Sequence, residues 1–245
     1  MAAELAIILG ASGSVGQALV AEALRCGRFS KVVVLVRRPL DLSGLTGGDL
    51  VQRQVLPMAP DTLRQAVVDT LQDFGGEAVG FSVMGVGANT AKMSLAAHRA
   101  VDVDLNAAFA CGLKASGKVR HLAFMSAVGA DIHASTSGSG AAGMPRYARV
   151  KGEAEAAVMS PGLAVVSIFR PSVIIGSQHT PALLAAAMGL LSPLIPRKFR
   201  PIRTTEIAQA MVAVALESPE VSAIYSYAEM KSLTTPSHRQ DGPSR

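Results

Sequence analysis

Tyr147 and Lys151 stand four residues apart in YARVK, and near the start of the chain Gly10, Gly13 and Gly16 punctuate GASGSVG. On a helix, positions i and i+4 share a face, so the phenol and the ammonium would point the same way. A cation beside a phenol lowers a pKa that otherwise lies near 10, which would make Tyr147 a usable acid or base near neutrality. Ser126 closes the apolar run at residues 121–125, where its hydroxyl could hydrogen-bond a carbonyl or alcohol oxygen as charge develops on it. Ser126, Tyr147 and Lys151 are therefore the candidate catalytic set. A YxxxK pattern is common by chance on ordinary surface helices, and its place downstream of a glycine-rich turn is what gives it weight.

That turn directly follows the apolar run LAIIL at residues 5–9 and opens a helical stretch over 14–26. In this setting Gly10 permits a tight turn, Gly13 lets a pyrophosphate approach the backbone, and Gly16 lets helix and strand pack closely. The helix N-terminus would then meet the phosphates, with Ser12, Ser14 and Val15 completing the contact. The residue that reads the adenine ribose belongs about 20 positions further on, at the end of the second strand. Arg37 and Arg38 stand there, where an NAD-preferring site would carry an acid. Guanidinium groups suit a ribose 2′-phosphate, which predicts NADP(H) with Arg37 as first reader. The alternative is a pair of solvated surface charges. Gly85, in MGVGAN at 84–89, would line the other side of the cofactor.

These residues need a scaffold that brings a glycine turn, two strand ends and a helix together. KVVVLV at 31–36 repeats the unalternated character of 5–9, and such runs separated by helices mean strands covered on both faces. A weak strand at 51–56, a helix over 61–74, a strand at 78–84 and a long helix from about 90 to 115 continue the pattern. A strand at 121–125, a helix from 145 and a strand at 164–169 extend it. The expected fold is α/β, a doubly wound parallel sheet of Rossmann type in a single domain over 1–230 with small substrate-side elements at its C-terminal end. Composition turns to Thr, Pro, Ser and Gly beyond Tyr227, so residues 231–245 read as a disordered tail. The low-complexity segment 134–143, ASTSGSGAAG, is either an inert linker or a lid over the site.

In this order the motifs resemble those of the short-chain dehydrogenase/reductase superfamily, over about residues 5–227. GASGSVG replaces the TGxxxGxG form and the Ser126 to Tyr147 interval is long, as in the extended or atypical branch. FMSAVGAD, YARVKGEAEAAV and FRPSVIIG look closest to the group around the Tat-interacting oxidoreductase-like proteins. The resemblance implies Tyr147 as acid/base, Lys151 as a ribose ligand that also tunes the phenol, and Ser126 as the substrate-orienting hydroxyl. It also implies that Arg170 and Pro171 begin the loop flanking nicotinamide and substrate. The compact family often uses an Asn in the long helix; here Asp102, Asp104 and Asn106 occupy that neighbourhood and none is assigned.

Three Tyr, seven Phe and no Trp leave few rings for base stacking, so no nucleic acid is expected despite a formal charge of +5. Cys26 and Cys111 sit in apolar helical patterns and read as buried reduced thiols, and no Cys/His spacing suggests a metal. The cytoplasm is the default compartment, and no stretch is long enough to span a bilayer. His179 follows the RPSVIIG loop within reach of substrate or as a solvated histidine. The uncharged stretch 182–195 is core, a self-association face or the wall of an apolar pocket, and the basic cluster Arg197, Lys198, Arg200 and Arg203 is a solvated edge or an anion or partner site. Residues 182–203 are thus where a homo-oligomer or protein partner would dock. The functional expectation is an NADP(H)-dependent oxidoreductase acting on a carbonyl/alcohol pair, with a hydrophobic small molecule as substrate. The alternative is a non-catalytic NADPH-binding regulatory or assembly protein.

Overall fold

From Leu5 to Leu9 no side chain of the first strand, β1 (Glu4–Leu9), is accessible to solvent on either face. Ala6 and Ile8 point into one hydrophobic cluster, and Leu5, Ile7 and Leu9 into a second on the opposite side of the sheet. β2 (Phe29–Val36) divides in the same way, Val32, Val34 and Val36 against Val33 and Leu35. Two buried faces explain why these runs show no polar alternation. The chain is described here from a computed structural model over residues 4–41, 44–176 and 196–234.

β3 (Val51–Val55), β4 (Glu77–Ser82), β5 (Val119–Met125), β6 (Val165–Phe169) and β9 (Ala223–Tyr225) complete a parallel sheet in the order β3-β2-β1-β4-β5-β6-β9. The chain builds outward through β2 and β3, then returns to the other side of β1 at β4. Between β1 and β4 the winding reverses, and their carboxyl ends leave a crevice there. Helices α1 (Ser14–Arg25) and α6 (Thr204–Leu216) cover one face, and α2 (Pro60–Gln72), α4 (Leu105–Ser116) and α5 (Pro145–Met159) the other. Phe81, Phe109, Phe124 and Phe169 are fully buried, each contributing about 1.5–3 kcal/mol of transfer free energy. The doubly wound Rossmann architecture read from the sequence is the one observed.

The single helix expected over 90–115 is not. A 3-10 turn, Gly87–Lys92, is followed by α3 (Leu95–Arg99), whose N-cap Ser94 accepts from the Ala97 amide at 3.1 Å. A π-helical segment, Ala100–Asp104, then leads into α4. Ser94 is the physical reason for the late start, because its side chain satisfies an end that a continuous helix would not have.

After β6, a small two-stranded parallel sheet pairs β7 (Ile174–Ile175) with β8 (Ile202–Arg203). The expected tail begins too early: α7 (Tyr227–Thr234) runs through its first four residues, with Met230 fully buried and Lys231 Nζ 2.6 Å from Glu206 Oε1. Glu206 also accepts from the Arg203 amide at the start of α6, so one carboxylate caps α6 and ties down α7. The remainder of the tail, His179 and residues 182–195 lie outside the described residues. Arg197, Lys198 and Arg203 are exposed. Cys26 and Cys111 are free thiols, half-buried rather than fully buried. Among the described residues no helix is long and apolar enough to cross a membrane.

Candidate active site

The glycine turn lies at the crevice, between the carboxyl ends of β1 and β4. Gly10 has φ +90, a conformation that side chains rarely adopt, and a Cβ there would lie 2.7 Å from the Met84 amide. A Cβ on Gly16 would lie 2.1 Å from the Gly10 carbonyl, so α1 can approach the turn only because Gly16 has none. Gly13 differs, since its added Cβ would meet a single neighbour at an ordinary 3.5 Å. It caps α1 without a side-chain hydrogen bond, leaving the amides of the first turn to meet a ligand. Ser12 is exposed, Ser14 half-buried and Val15 packed into the core. Arg37 and Arg38 are exposed immediately after β2, the strand adjacent to β1. Neither guanidinium is paired with a carboxylate among the described residues. An open glycine turn at a helix N-terminus whose N-cap makes no side-chain hydrogen bond fits a dinucleotide.

On the other side of β4, β5 and α5 carry the residues expected to do chemistry, and the loop after β5 meets α5 where the Asp131 amide donates to the Ala148 carbonyl at 2.9 Å. Tyr147 and Lys151 lie one turn apart on α5, which Pro145 opens. Lys151 is 5% exposed, and its Nζ stands 5.7 Å from the centre of the Tyr147 ring. A Cβ on Gly85 would be 3.3 Å from that Nζ, so the segment after β4 runs directly past the ammonium. Ser126 follows β5 and is buried; its amide donates to the Phe169 carbonyl at 2.7 Å, and its Oγ has no partner among the described residues. A buried hydroxyl without a partner carries a cost that a ligand oxygen could relieve.

Sequence reasoning left Asp102 unassigned, yet it is Lys151's ion-pair partner at 2.6 Å. Its second carboxylate oxygen accepts from the Val86 amide at 2.9 Å. Burial would raise the Asp102 carboxyl, but the Lys151 ammonium, His98 and the Val86 amide outweigh it and hold it at about 2. Burial likewise pulls Lys151 down, and Asp102 reverses this, leaving the ammonium above its ordinary value. His98 is fully buried, its Nε2 3.7 Å from Asp102 Oδ1 and its ring 5.9 Å from that of Tyr147. The available signal was a carboxylate four residues after a histidine, with Asp104 and Asn106 close by.

The Arg170 side chain is committed to an ion pair within the fold. Its Nε and Nη2 bond Glu155 at 2.8 and 2.6 Å, a bidentate pair joining the end of β6 to α5. Both residues line a cavity of about 360 Å³ with Asp131, Ile132, Gly152 and Met159, whereas Ser126, Tyr147 and Lys151 do not. Pro171 is buried, and its carbonyl accepts from the Val128 amide at 2.8 Å, extending the β5–β6 pairing past Ser126. The 134–143 segment is seated at Gly140, where a Cβ would be 2.5 Å from the Thr90 carbonyl, and Arg146 Nη2 holds the Met93 carbonyl at 2.8 Å.

Sheet order, glycine turn and switch-point crevice together define a dinucleotide-binding protein of the Rossmann type. The chain belongs to the NAD(P)H-binding family, which matches residues 10–218. It is similar to the mitochondrial protein FMP52 of Eremothecium gossypii, 29% identical over 96% of this chain and 99% of that one. It is also similar to HTATIP2 of Rattus norvegicus, 31% identical over 69% of this chain but only 62% of the rat protein. A short-chain dehydrogenase/reductase of Serratia marcescens superposes with a TM-score of 0.64 at 16% identity, covering 92% of this chain and 98% of that one, a likeness of fold. The mitochondrial location in the name of FMP52 belongs to that protein and lends no support to the cytoplasmic expectation.

Proposed function

We propose that the protein is an NADP(H)-dependent oxidoreductase that interconverts a carbonyl and an alcohol. The observation that carries this reading is the buried Ser126 hydroxyl, without a partner among the described residues, together with a buried ammonium 5.7 Å from the centre of the Tyr147 ring. A protein that only binds a nucleotide has no chemical need for the Ser126 hydroxyl. The turn from Gly10 to Gly16, with Ser12, Gly13, Ser14 and Val15, would hold the pyrophosphate. Arg37 and Arg38 would take the 2′-phosphate, Gly85 and Pro171 would wall the nicotinamide, and Arg170 would contribute backbone only.

When bound, the nicotinamide supplies or accepts the hydride at the carbonyl carbon. The chain's own residues manage the oxygen and its proton. In reduction, the Tyr147 hydroxyl donates its proton to the carbonyl oxygen while the Ser126 hydroxyl hydrogen-bonds the same oxygen and steadies its developing charge. Lys151 stands beside the phenolate that this leaves, so the negative charge forms next to a fixed cation. In oxidation the phenolate takes the alcohol proton back.

A panel of aldehydes and ketones, followed by NADPH absorbance with purified protein, tests the assignment. Consumption of NADPH with at least one carbonyl, lost in Tyr147→Phe, supports it. Tight NADPH binding without turnover on any member, together with a Tyr147→Phe protein that behaves as wild type in binding, replaces it with the non-catalytic NADPH-binding reading.

A further inference from the structure

Asp102 takes no direct part in the proposed chemistry, yet it touches two of the elements that chemistry depends on. It is 1% exposed and lies in the π segment Ala100–Asp104, a distortion that recurs at functional sites because it shifts a side chain's register by one residue. Its carboxylate is shared, Oδ1 accepting from Lys151 Nζ at 2.6 Å and Oδ2 from the Val86 amide at 2.9 Å. Its own carbonyl accepts from Asn106 Nδ2 at 2.8 Å, and Asn106 Oδ1 takes the Ser82 hydroxyl at 2.5 Å, which anchors the segment to the end of β4.

We propose that Asp102 is a positioning residue that keeps Lys151 charged and fixed beside Tyr147, and ties α5 through Val86 to the Gly85 loop that would wall the cofactor. Its effect on turnover rests on the oxidoreductase reading. An ammonium buried this deeply and left alone sheds its proton readily, with falls of up to about 3–5 pH units for fully buried lysines. Burial acts on Lys151 in that direction, and the adjacent carboxylate reverses it. The other groups facing Lys151 are Tyr147 and Glu155 on α5, Glu155 being taken by Arg170 at the end of β6, while His98 on α3 faces the Asp102 carboxylate. Arg99 of α3 is engaged by Glu153. Among the described residues Asp102 is the one in hydrogen-bond contact with Nζ.

The test uses the full chain carrying Asp102→Asn, which keeps the shape and removes the charge. Cyanate carbamylates neutral amines, so the rate of Lys151 modification against pH, read by peptide mass spectrometry, follows its ionisation without needing turnover. The variant's curve is expected to move to lower pH, reactivity at a fixed pH rising about tenfold for each pH unit of movement. NADPH affinity, titrated by fluorescence, should weaken, and turnover should acquire an alkaline limb absent from the wild type. An unchanged Lys151 curve and an unchanged pH–rate profile would reduce Asp102 to a structural ion pair and overturn the proposal. If the variant does not fold, the wild-type protein decides: Lys151 should ionise above the exposed Lys92 and Lys114, and ionisation at or below theirs overturns it. A shifted Lys151 curve with weakened NADPH binding, in a protein that turns over no carbonyl, upholds the role of Asp102 and removes only the oxidoreductase reading.

Discussion

Tyr147→Phe removes one oxygen from a half-buried ring and leaves its packing beside His98 in place. Loss of acid/base catalysis should cost about 10²–10⁴-fold in turnover, with NADPH affinity nearly unchanged by fluorescence titration. Lys151→Ala should behave otherwise, lowering turnover and affinity together. It should also lower stability, by about 3–5 kcal/mol in urea unfolding, because it strands the buried Asp102 carboxylate. A Lys151→Ala protein as stable as the wild type would contradict that. At this scale the sequence exposed the residues that share a local pattern: three glycines at fixed spacing, and a tyrosine and lysine one helical turn apart. Asp102 was visible but could not be assigned, because its approach to Lys151 depends on a π segment that helical periodicity does not encode. The commitment of Arg170 was hidden for a different reason, since Glu155 reaches it only when α5 packs across the end of β6.

Strand and helix order was legible as far as β6 because the buried strands read as continuous apolar runs; the misreading over 90–115 came where a polar cap interrupts an otherwise helical composition, and α6, β9 and α7 beyond it were not read. The glycine turn offers a prediction in which fold and binding separate. Gly16→Ala places a Cβ against backbone that cannot move aside, so it should destabilise by about 1–3 kcal/mol or more and weaken cofactor binding as a consequence. Gly13→Ala meets no such obstacle and should leave the melting temperature almost unchanged while NADPH affinity falls. Equal losses of stability in the two variants would refute this division. In β5, His121 is buried with Nε2 2.9 Å from Ser167 Oγ, and burial lowers its pKa to about 4 from an unfolded value near 6.5. Because the folded pKa is depressed, the unfolded chain binds more protons between those values. Stability is then fully present above about pH 6.5 and declines as pH falls toward 4, by roughly 3 kcal/mol in total. His121→Gln should flatten that part of the urea-unfolding profile, and an identical slope in the variant would assign the loss to other groups.

At the scale of the whole molecule, two hydrophobic clusters back the seven-stranded sheet, and the reversal of winding between β1 and β4 sets the glycine turn against the segment after β4, with Arg37 and Arg38 following the neighbouring strand β2. On the proposed NADP(H) reading, the exposure of both arginines would make contact with a 2′-phosphate an interaction formed largely in solvent. A ligand that binds only the folded state adds about 2.7 kcal/mol of apparent stability at 100 times its dissociation constant. Thermal shifts should therefore be larger with NADPH than with NADH at equal concentration. The difference should also depend on salt, because the screening length falls from about 10 Å at 0.1 M to about 3 Å at 1 M. The pyrophosphate contacts, made by backbone amides at the α1 N-terminus, are common to both cofactors and cancel in the comparison. What remains is the arginine contribution, so the NADPH advantage should shrink markedly between those ionic strengths and disappear in Arg37→Ala plus Arg38→Ala at any salt. A preference that survives the double substitution would place the reader of the 2′-phosphate elsewhere in the crevice, and equal shifts with both cofactors in the wild type would remove the case for NADP(H).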